Sequence, residues 1–240
     1  MIFIFKRKKV VLDCFTYDKN LYDYYQIDKA SNFYPNWFKN LDKDYEDRFV
    51  RSSTLKRCVG ILDTYKTGFI FPMWSDLSIK IQDGSYEWLF AHNKSIADVS
   101  DHRQWNSYIS PYEYGHLKIN SIWRIKSKQD IKFYFTHPYW NHNPINSYSI
   151  VPGMLNFKYQ FNTSINMFID LKENRIIEIK QGTPLIHLMP LTDKEIILKH
   201  HIVSYDEYHN DSFNFTFNNS YQKQKKMIDD KEKKCPFNFK

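Results

Sequence analysis

The stretch I-K-F-Y-F at Ile131–Phe135 alternates side chains, with Ile131, Phe133 and Phe135 on one side and Lys132 and Tyr134 on the other. Successive side chains of a strand point to opposite faces, so this period of two reads as a β-strand with one buried face. The same alternation recurs at Leu77, Ile79 and Ile81, and again at Phe157, Tyr159 and Phe161. Short apolar or alternating runs extend from these in both directions: Lys9 to Phe15, Thr54 to Asp63, Phe69 to Pro72, Tyr86 to Phe90, His116 to Trp123, Ile165 to Leu171, Arg175 to Ile179, Leu185 to Met189 and Glu195 to Lys199. About ten short strands with few helical patterns between them predict a mainly β protein. The expected fold is an antiparallel β-sandwich or jelly roll, cupin-like, with a few short helices.

The helical signals are brief. Between Asp28 and Leu41 a helix or two short turns are expected, broken at Pro35, which pushes Tyr34 out of helical geometry. Ser204-Tyr205-Asp206-Glu207 carries a capping-box pattern and predicts one short helix closing a barrel end. Asn219 to Lys234 mixes lysines with Asp229, Asp230 and Glu232 and reads as a solvated helix. The chain is therefore expected to hold a single β-sandwich domain over residues 1–215, including the helical segment at about 28–41, and a basic helical C-terminal appendage over 216–240, where Phe237 and Phe239 would dock back or meet another subunit.

Composition narrows the classes. The 240 residues are 42% hydrophobic and 25% charged, enough to build a core and too apolar for wholesale disorder. The 18% aromatic content favours strands. The 34 bases exceed the 27 acids by 7, but they are spread along the chain, and the three alanines beside abundant Lys, Asn, Ile, Tyr and Phe bear the imprint of an A/T-rich genome. A nucleic-acid partner is not expected. With 6 glycines, many turns must be made by Asn and Asp. The longest apolar runs fall far short of the roughly 20 residues that cross a bilayer, so no membrane association is expected. The opening M-I-F-I-F-K-R-K-K places its bases after a very short apolar stretch, unlike a secretory signal, and a cytoplasmic location follows, that of a host cell if the protein is viral. Cys14, Cys58 and Cys235 form no C-x-x-C pair and are expected to be reduced structural thiols.

Nine histidines test the chain for metal chemistry. His-x-Asp, the first half of a two-histidine-one-carboxylate triad, occurs only at His209-Asn210-Asp211, and the His-x-His of common cupin sites is absent. T-H-P-Y-W-N-H-N places His137 and His142 beside Tyr139 and Trp140, where they could hold a metal or grip a planar ligand; the structural alternative is an aromatic loop capping the barrel. His187, in G-T-P-L-I-H-L-M-P-L, would face a cavity or a satisfied core position. His200 and His201 are adjacent on a strand, so at most one faces inward. His102, beside Arg103, Gln104 and Trp105, could recognise a carboxylate or carbohydrate, or simply be exposed. The candidate ligand-binding residues are thus His102, His137, Tyr139, Trp140, His142 and His187, with no catalytic residue and no metal-ligand set identified. G-x-S-x-G, G-x-G-x-x-G and G-x-x-x-x-G-K-[ST] are all missing. Cys14 lies in an apolar strand where burial suppresses thiolate formation, and Cys58 is read in a strand-like context. K-F-Y-F and F-K-Y-Q-F could stack on single-stranded nucleic acid, but the same period places their aromatics inside and their bases outside.

The segments Val11 to Thr16, Trp74 to Lys80, Asp130 to Phe135, Gly182 to Leu191, Lys199 to Ser204 and Lys234 to Phe237 resemble those of an uncharacterised protein family of marine tailed phages with distant bacterial relatives. The resemblance spans most of the chain. It implies a viral or bacterial accessory protein and carries over no catalytic residue. The functional expectation is a non-catalytic β-sandwich binding or assembly module without a cofactor, whose partner is a second copy of itself or another protein. The alternative is a cupin-like iron-dependent oxygenase or other metalloenzyme using His102, His137 or His187 with an acidic residue.

Overall fold

The computed structural model describes residues 9–47, 49–91, 96–99, 105, 109–141, 148–210 and 220–234. The described residues begin with β1 (Lys9–Thr16), which buries Val10, Leu12 and Cys14 on alternate positions. There follow α1 (Lys19–Tyr24), β2 (Asp28–Lys29), a 3-10 turn at Ala30–Phe33 and α2 (Asn36–Asn40). Pro35 is extended at the N-cap of α2, so the expected break falls at that proline. The charged stretch beyond it forms the hairpin of β3 (Asp44–Asp47) and β4 (Val50–Ser53) and leads to α3 (Val59–Lys66). Strands then dominate: β5 (Phe69–Pro72), β6 (Leu77–Gln82), β7 (Ser85–Phe90), β8 (Ile96–Val99), β9 (Tyr114–Lys126), β10 (Lys132–Thr136), β11 (Tyr148–Ile150), β12 (Gly153–Asn156), β13 (Asn162–Asp170), β14 (Arg175–Ile179), β15 (Pro184–Pro190) and β16 (Glu195–Ile202). The helices α4 (Tyr205–Asn210) and α5 (Ser220–Lys234) complete the order.

The protein is mainly β and sandwich-like. The larger sheet runs β11-β13-β9-β1-β16, with β8 pairing a second segment of β9. A second sheet runs β12-β10-β15-β5-β2, and a third β14-β6-β7. Their inner faces meet in one apolar cluster that includes Trp74, Trp123, Phe71, Phe133 and Phe157. Alternation explains the sorting: β6 buries Leu77, Ile79 and Ile81 while Ser78, Lys80 and Gln82 face outward. Among the described residues one pairing departs from the antiparallel expectation. β1 lies parallel to β16 over eight residues, from Lys9 opposite Glu195 to Thr16 opposite Ile202.

Two expected strands are something else. Thr54 to Asp63 forms a 3-10 turn at Leu55–Arg57 followed by the first turns of α3, because the Thr54 hydroxyl accepts the Lys56 amide at 3.2 Å and the Leu62 amide donates to the Cys58 carbonyl at 3.1 Å. Cys58 is consequently the exposed N-cap of a helix rather than a strand residue. Phe157 to Phe161 follows β12 as a turn. The Asn156 carbonyl accepts the Tyr159 and Gln160 amides, and its side-chain oxygen accepts the Lys158 amide at 3.1 Å. Phe157 and Tyr159 are still buried, so a turn reproduces the alternation of a strand.

The capping box at Ser204 is formed as read: Glu207 accepts from the Ser204 amide and hydroxyl at 2.9 Å each, and Ser204 accepts the Glu207 amide at 3.2 Å. The helix it starts, α4, does not close a barrel end. It lies on the outer face of the larger sheet, where the Arg124 guanidinium of β9 sits 3.7 Å from the centre of the Tyr208 ring and donates to the Tyr208 carbonyl. The basic helix α5 meets the body at Tyr159, whose hydroxyl lies 3.2 Å from an Asp229 carboxylate oxygen. Phe237 and Phe239 lie outside the described residues. Among the described residues no helix is long and apolar enough to cross a membrane.

Gly68 opens β5 with a φ of +84°, and a Cβ there would fall on the Leu188 carbonyl oxygen of β15. Gly84, in the β6–β7 turn, also has a positive φ of +73° but faces open space. Gly68→Ala should therefore cost about 3 kcal/mol or more, combining left-handed strain with overpacking, while Gly84→Ala should cost about 1 kcal/mol from strain alone. Chemical denaturation of both variants checks the ranking, and equal losses would contradict it.

Candidate functional site

The 3-10 turn at Ala30–Phe33, α2 and α3 form a cover over the second sheet, at the β5–β15–β10 side. Buried Ala30, Tyr65 and Ile70 form a small core of their own, with Phe33, Tyr34 and Trp140 packed against it. Polar contacts stitch this cover to the loop after β10. The Tyr65 hydroxyl donates to Asn141 Oδ1 at 2.6 Å, Asn141 Nδ2 donates to the Phe33 carbonyl at 2.7 Å, and Trp37 Nε1 donates to the Trp140 carbonyl at 3.0 Å. Burial, with a smaller contribution from Tyr34, pushes the Tyr65 phenol well above its ordinary range, so it remains a proton donor at any physiological pH.

Four of the sequence-predicted residues come together beneath the cover. The register of β10 and β15 sets Thr136 opposite His187, which brings His137, Tyr139, Trp140 and His187 to one small cleft of about 60 Å³, with Tyr65 and Ile70 on its other side. His187 is buried, and its Nε2 lies 2.8 Å from the Thr67 carbonyl. A carbonyl only accepts, so Nε2 carries the proton and Nδ1 is the acceptor nitrogen of the neutral ring. His137 is buried too, and its Nδ1 accepts the Ile150 amide at 3.4 Å, which assigns the proton of the neutral ring to Nε2. Tyr139 is largely exposed, and its ring centre lies 5.6 Å from that of His137. His102 and His142 lie outside the described residues.

The remaining described histidines have structural partners. His200 and His201 face opposite sides as expected: His200 Nε2 donates to the Ile27 carbonyl at 2.9 Å, and His201 Nε2 pairs with Asp13 at 2.9 Å while its ring stacks on Phe15. His116 accepts Trp105 Nε1 at its Nδ1. Cys14 is fully buried, and desolvation, with Asp13 adding to it, drives its thiol far above the range of a reactive cysteine. Among the described residues no three His, Cys, Asp or Glu side chains are grouped so as to hold an ion.

The other side of the same aromatic layer is open. Tyr34 stacks on Phe38 at 5.1 Å between ring centres with an interplanar angle of 14°, and Tyr34 leans on Tyr65 at 4.5 Å. With Leu62 of α3, Tyr34 and Phe38 form the apolar wall of a cleft of about 480 Å³, and Lys39, Lys43 and Lys56 complete its lining. None of these six residues is singled out by sequence reading. The available signal is the amphipathic W-F-K-N-L after Pro35, but Lys56 and Leu62 join it only through the turn and helix that sequence reads as a strand.

No protein-family model and no curated protein matches the chain.

Burial holds the imidazole of His187 below its ordinary pKa of 6.5, and the Thr67 hydrogen bond offsets this only in part. The unfolded chain therefore takes up a proton near pH 6.5 before the folded protein does, so the stability from the neutral ring is complete above that pH and is lost as pH falls towards the lower folded value. His200 is shifted in the same direction by burial. Denaturation midpoints should fall between about pH 7 and pH 5, and in His187→Gln, which retains a donor for Thr67, the fall should be shallower. An unchanged slope would mean that His187 does not contribute.

Proposed function

We propose that the protein is a non-catalytic binding module and that its ligand lies against Tyr34 and Phe38 in the open cleft beside α2 and α3. The observation that carries this reading is the cleft itself. Sites for small molecules are concave and mostly apolar, with a few placed polar groups and volumes of roughly 300–1,000 Å³. A cleft of about 480 Å³ with a stacked aromatic wall and a lysine rim fits that description. Among the described residues its lining contains no histidine, cysteine, serine or carboxylate, which favours binding over acid-base or nucleophilic chemistry. The cleft of about 60 Å³ at His187 is too small to receive such a ligand. The mainly β, sandwich-like architecture accords with an assembly or binding protein rather than with any particular reaction, and an accessory role of the phage type is part of this proposal.

A ligand-observed NMR screen of small uncharged aromatic compounds tests the reading. Hits should compete with one another and should weaken at least about ten-fold in Leu62→Gln, whose half-buried position keeps the stability loss modest. An empty screen, or hits indifferent to that substitution, would sink the assignment.

A metalloenzyme reading has one observation behind it, the cross-strand register that brings His137 beside His187. It requires at least one further ligand from His102, His142 or an acidic residue. Elemental analysis of protein purified without an affinity-metal step decides it: stoichiometric iron that disappears in His137→Ala would replace the binding reading, and its absence after anaerobic reconstitution would end the metal one.

A further inference from the structure

Resting on the cleft being a ligand site, we infer that its ligand is a planar aromatic ring bearing a phosphate-type dianion, the ring on Tyr34 and Leu62 and the anion among Lys39, Lys43 and Lys56. Charge bookkeeping around the cleft points there. Among the described residues three ammonium groups line it and no carboxylate does. The nearby Asp44 is already engaged, accepting from Arg51 at 2.9 Å and Arg57 at 2.7 Å. Against a desolvation effect that raises it, those two guanidinium groups hold the Asp44 carboxyl below its usual range. Lys39 and Lys43 have no ion-pair partner among the described residues, and Lys56 Nζ makes one hydrogen bond, to the Lys39 carbonyl at 2.7 Å, leaving two of its three donors. Like charges gathered at one concave surface repel each other until an anion joins them.

The residue types refine the anion. The two nearby arginines, whose planar forks match carboxylate and phosphate alike, are both committed to Asp44, so the cleft offers three lysine point charges, and a dianion such as a phosphate gains more from them than a singly charged carboxylate does. The apolar wall supplies the other half of the ligand. Half-buried Tyr34 and Leu62, with buried Phe38 stacked on Tyr34, offer an apolar surface on which a further ring gains contact and desolvation. A nucleoside monophosphate and a simple aryl phosphate share this chemistry, and they differ in the size of the ring system.

Isothermal titration of the full chain with adenosine monophosphate, phenyl phosphate, adenosine and inorganic phosphate separates the possibilities. Either phosphate-bearing aromatic should bind at least about ten-fold more tightly than adenosine at low salt, should weaken as salt rises, and should lose that advantage in the exposed double variant Lys39→Gln/Lys43→Gln. Which of the two binds more tightly identifies the ring. Adenosine binding as well as its monophosphate would overturn the anion, and inorganic phosphate binding as well as either aromatic phosphate would overturn the ring. If neither aromatic phosphate binds while uncharged aromatics still occupy the cleft, this inference fails and the binding reading stands. If nothing binds, both fail.

Discussion

The strand β9 is the member on which the larger sheet depends. It pairs with β13 along most of its length, with β8 near Ile119 and with β1 near Ile125, so three strands take their register from one. Such a strand must satisfy both faces. Inward, Leu117, Ile119, Trp123 and Ile125 are fully buried in the common core. Outward, Arg124 would be a charge under an apolar sheet face were it not covered by Tyr208, which supplies both a ring and a backbone acceptor. The short helix α4 is thus the lid that lets β9 carry a buried arginine near its C-terminal end, and its capping box fixes where that lid begins.

The aromatic cover shows how one packing layer can have two chemically different sides. Tyr65 faces His187 across a stacked contact of 6.3 Å and donates its hydroxyl hydrogen bond to Asn141, so the inner side is filled apart from the cleft of about 60 Å³. On the outer side the same layer presents Tyr34 to a wide cleft. The inner contacts fix the rings in place. A surface whose aromatic groups are already immobile loses little side-chain entropy when something binds to it.

The fold was legible in the sequence where alternation coincides with a sheet face. Leu77–Ile81, Phe133–Phe135 and Ile165–Ile169 are strands with the inward residues that alternation marks. Reading failed where local side-chain hydrogen bonds outweigh apolar content. Thr54 and Asn156 each capture nearby amides, and they convert apparent strands at Thr54 to Asp63 and Phe157 to Phe161 into turn and helix. The parallel β1–β16 pair was illegible because pairing partners far apart in sequence leave no local mark. Of the residues that spacing marks, His137, Tyr139, Trp140 and His187 line one small cleft, which the pairing of β10 with β15 brings together. The lysines of the open cleft were missed because isolated lysines in a lysine-rich chain look like solvated surface, and only the folding of α2 against α3 gathers them.

The parallel pairing of β1 with β16 also has a mechanical meaning. Tension applied at Lys9 and at Ile202 acts on opposite ends of two strands running the same way, so the load falls on the whole eight-residue ladder in shear rather than opening its bonds one by one as in a zipper. Forced unfolding is governed by the height of the unfolding barrier, and a ladder that must break together raises that barrier without adding to equilibrium stability. The strand arrangement therefore clamps the two ends of the β core against pulling along its length, whatever the resting stability of the sheets between them.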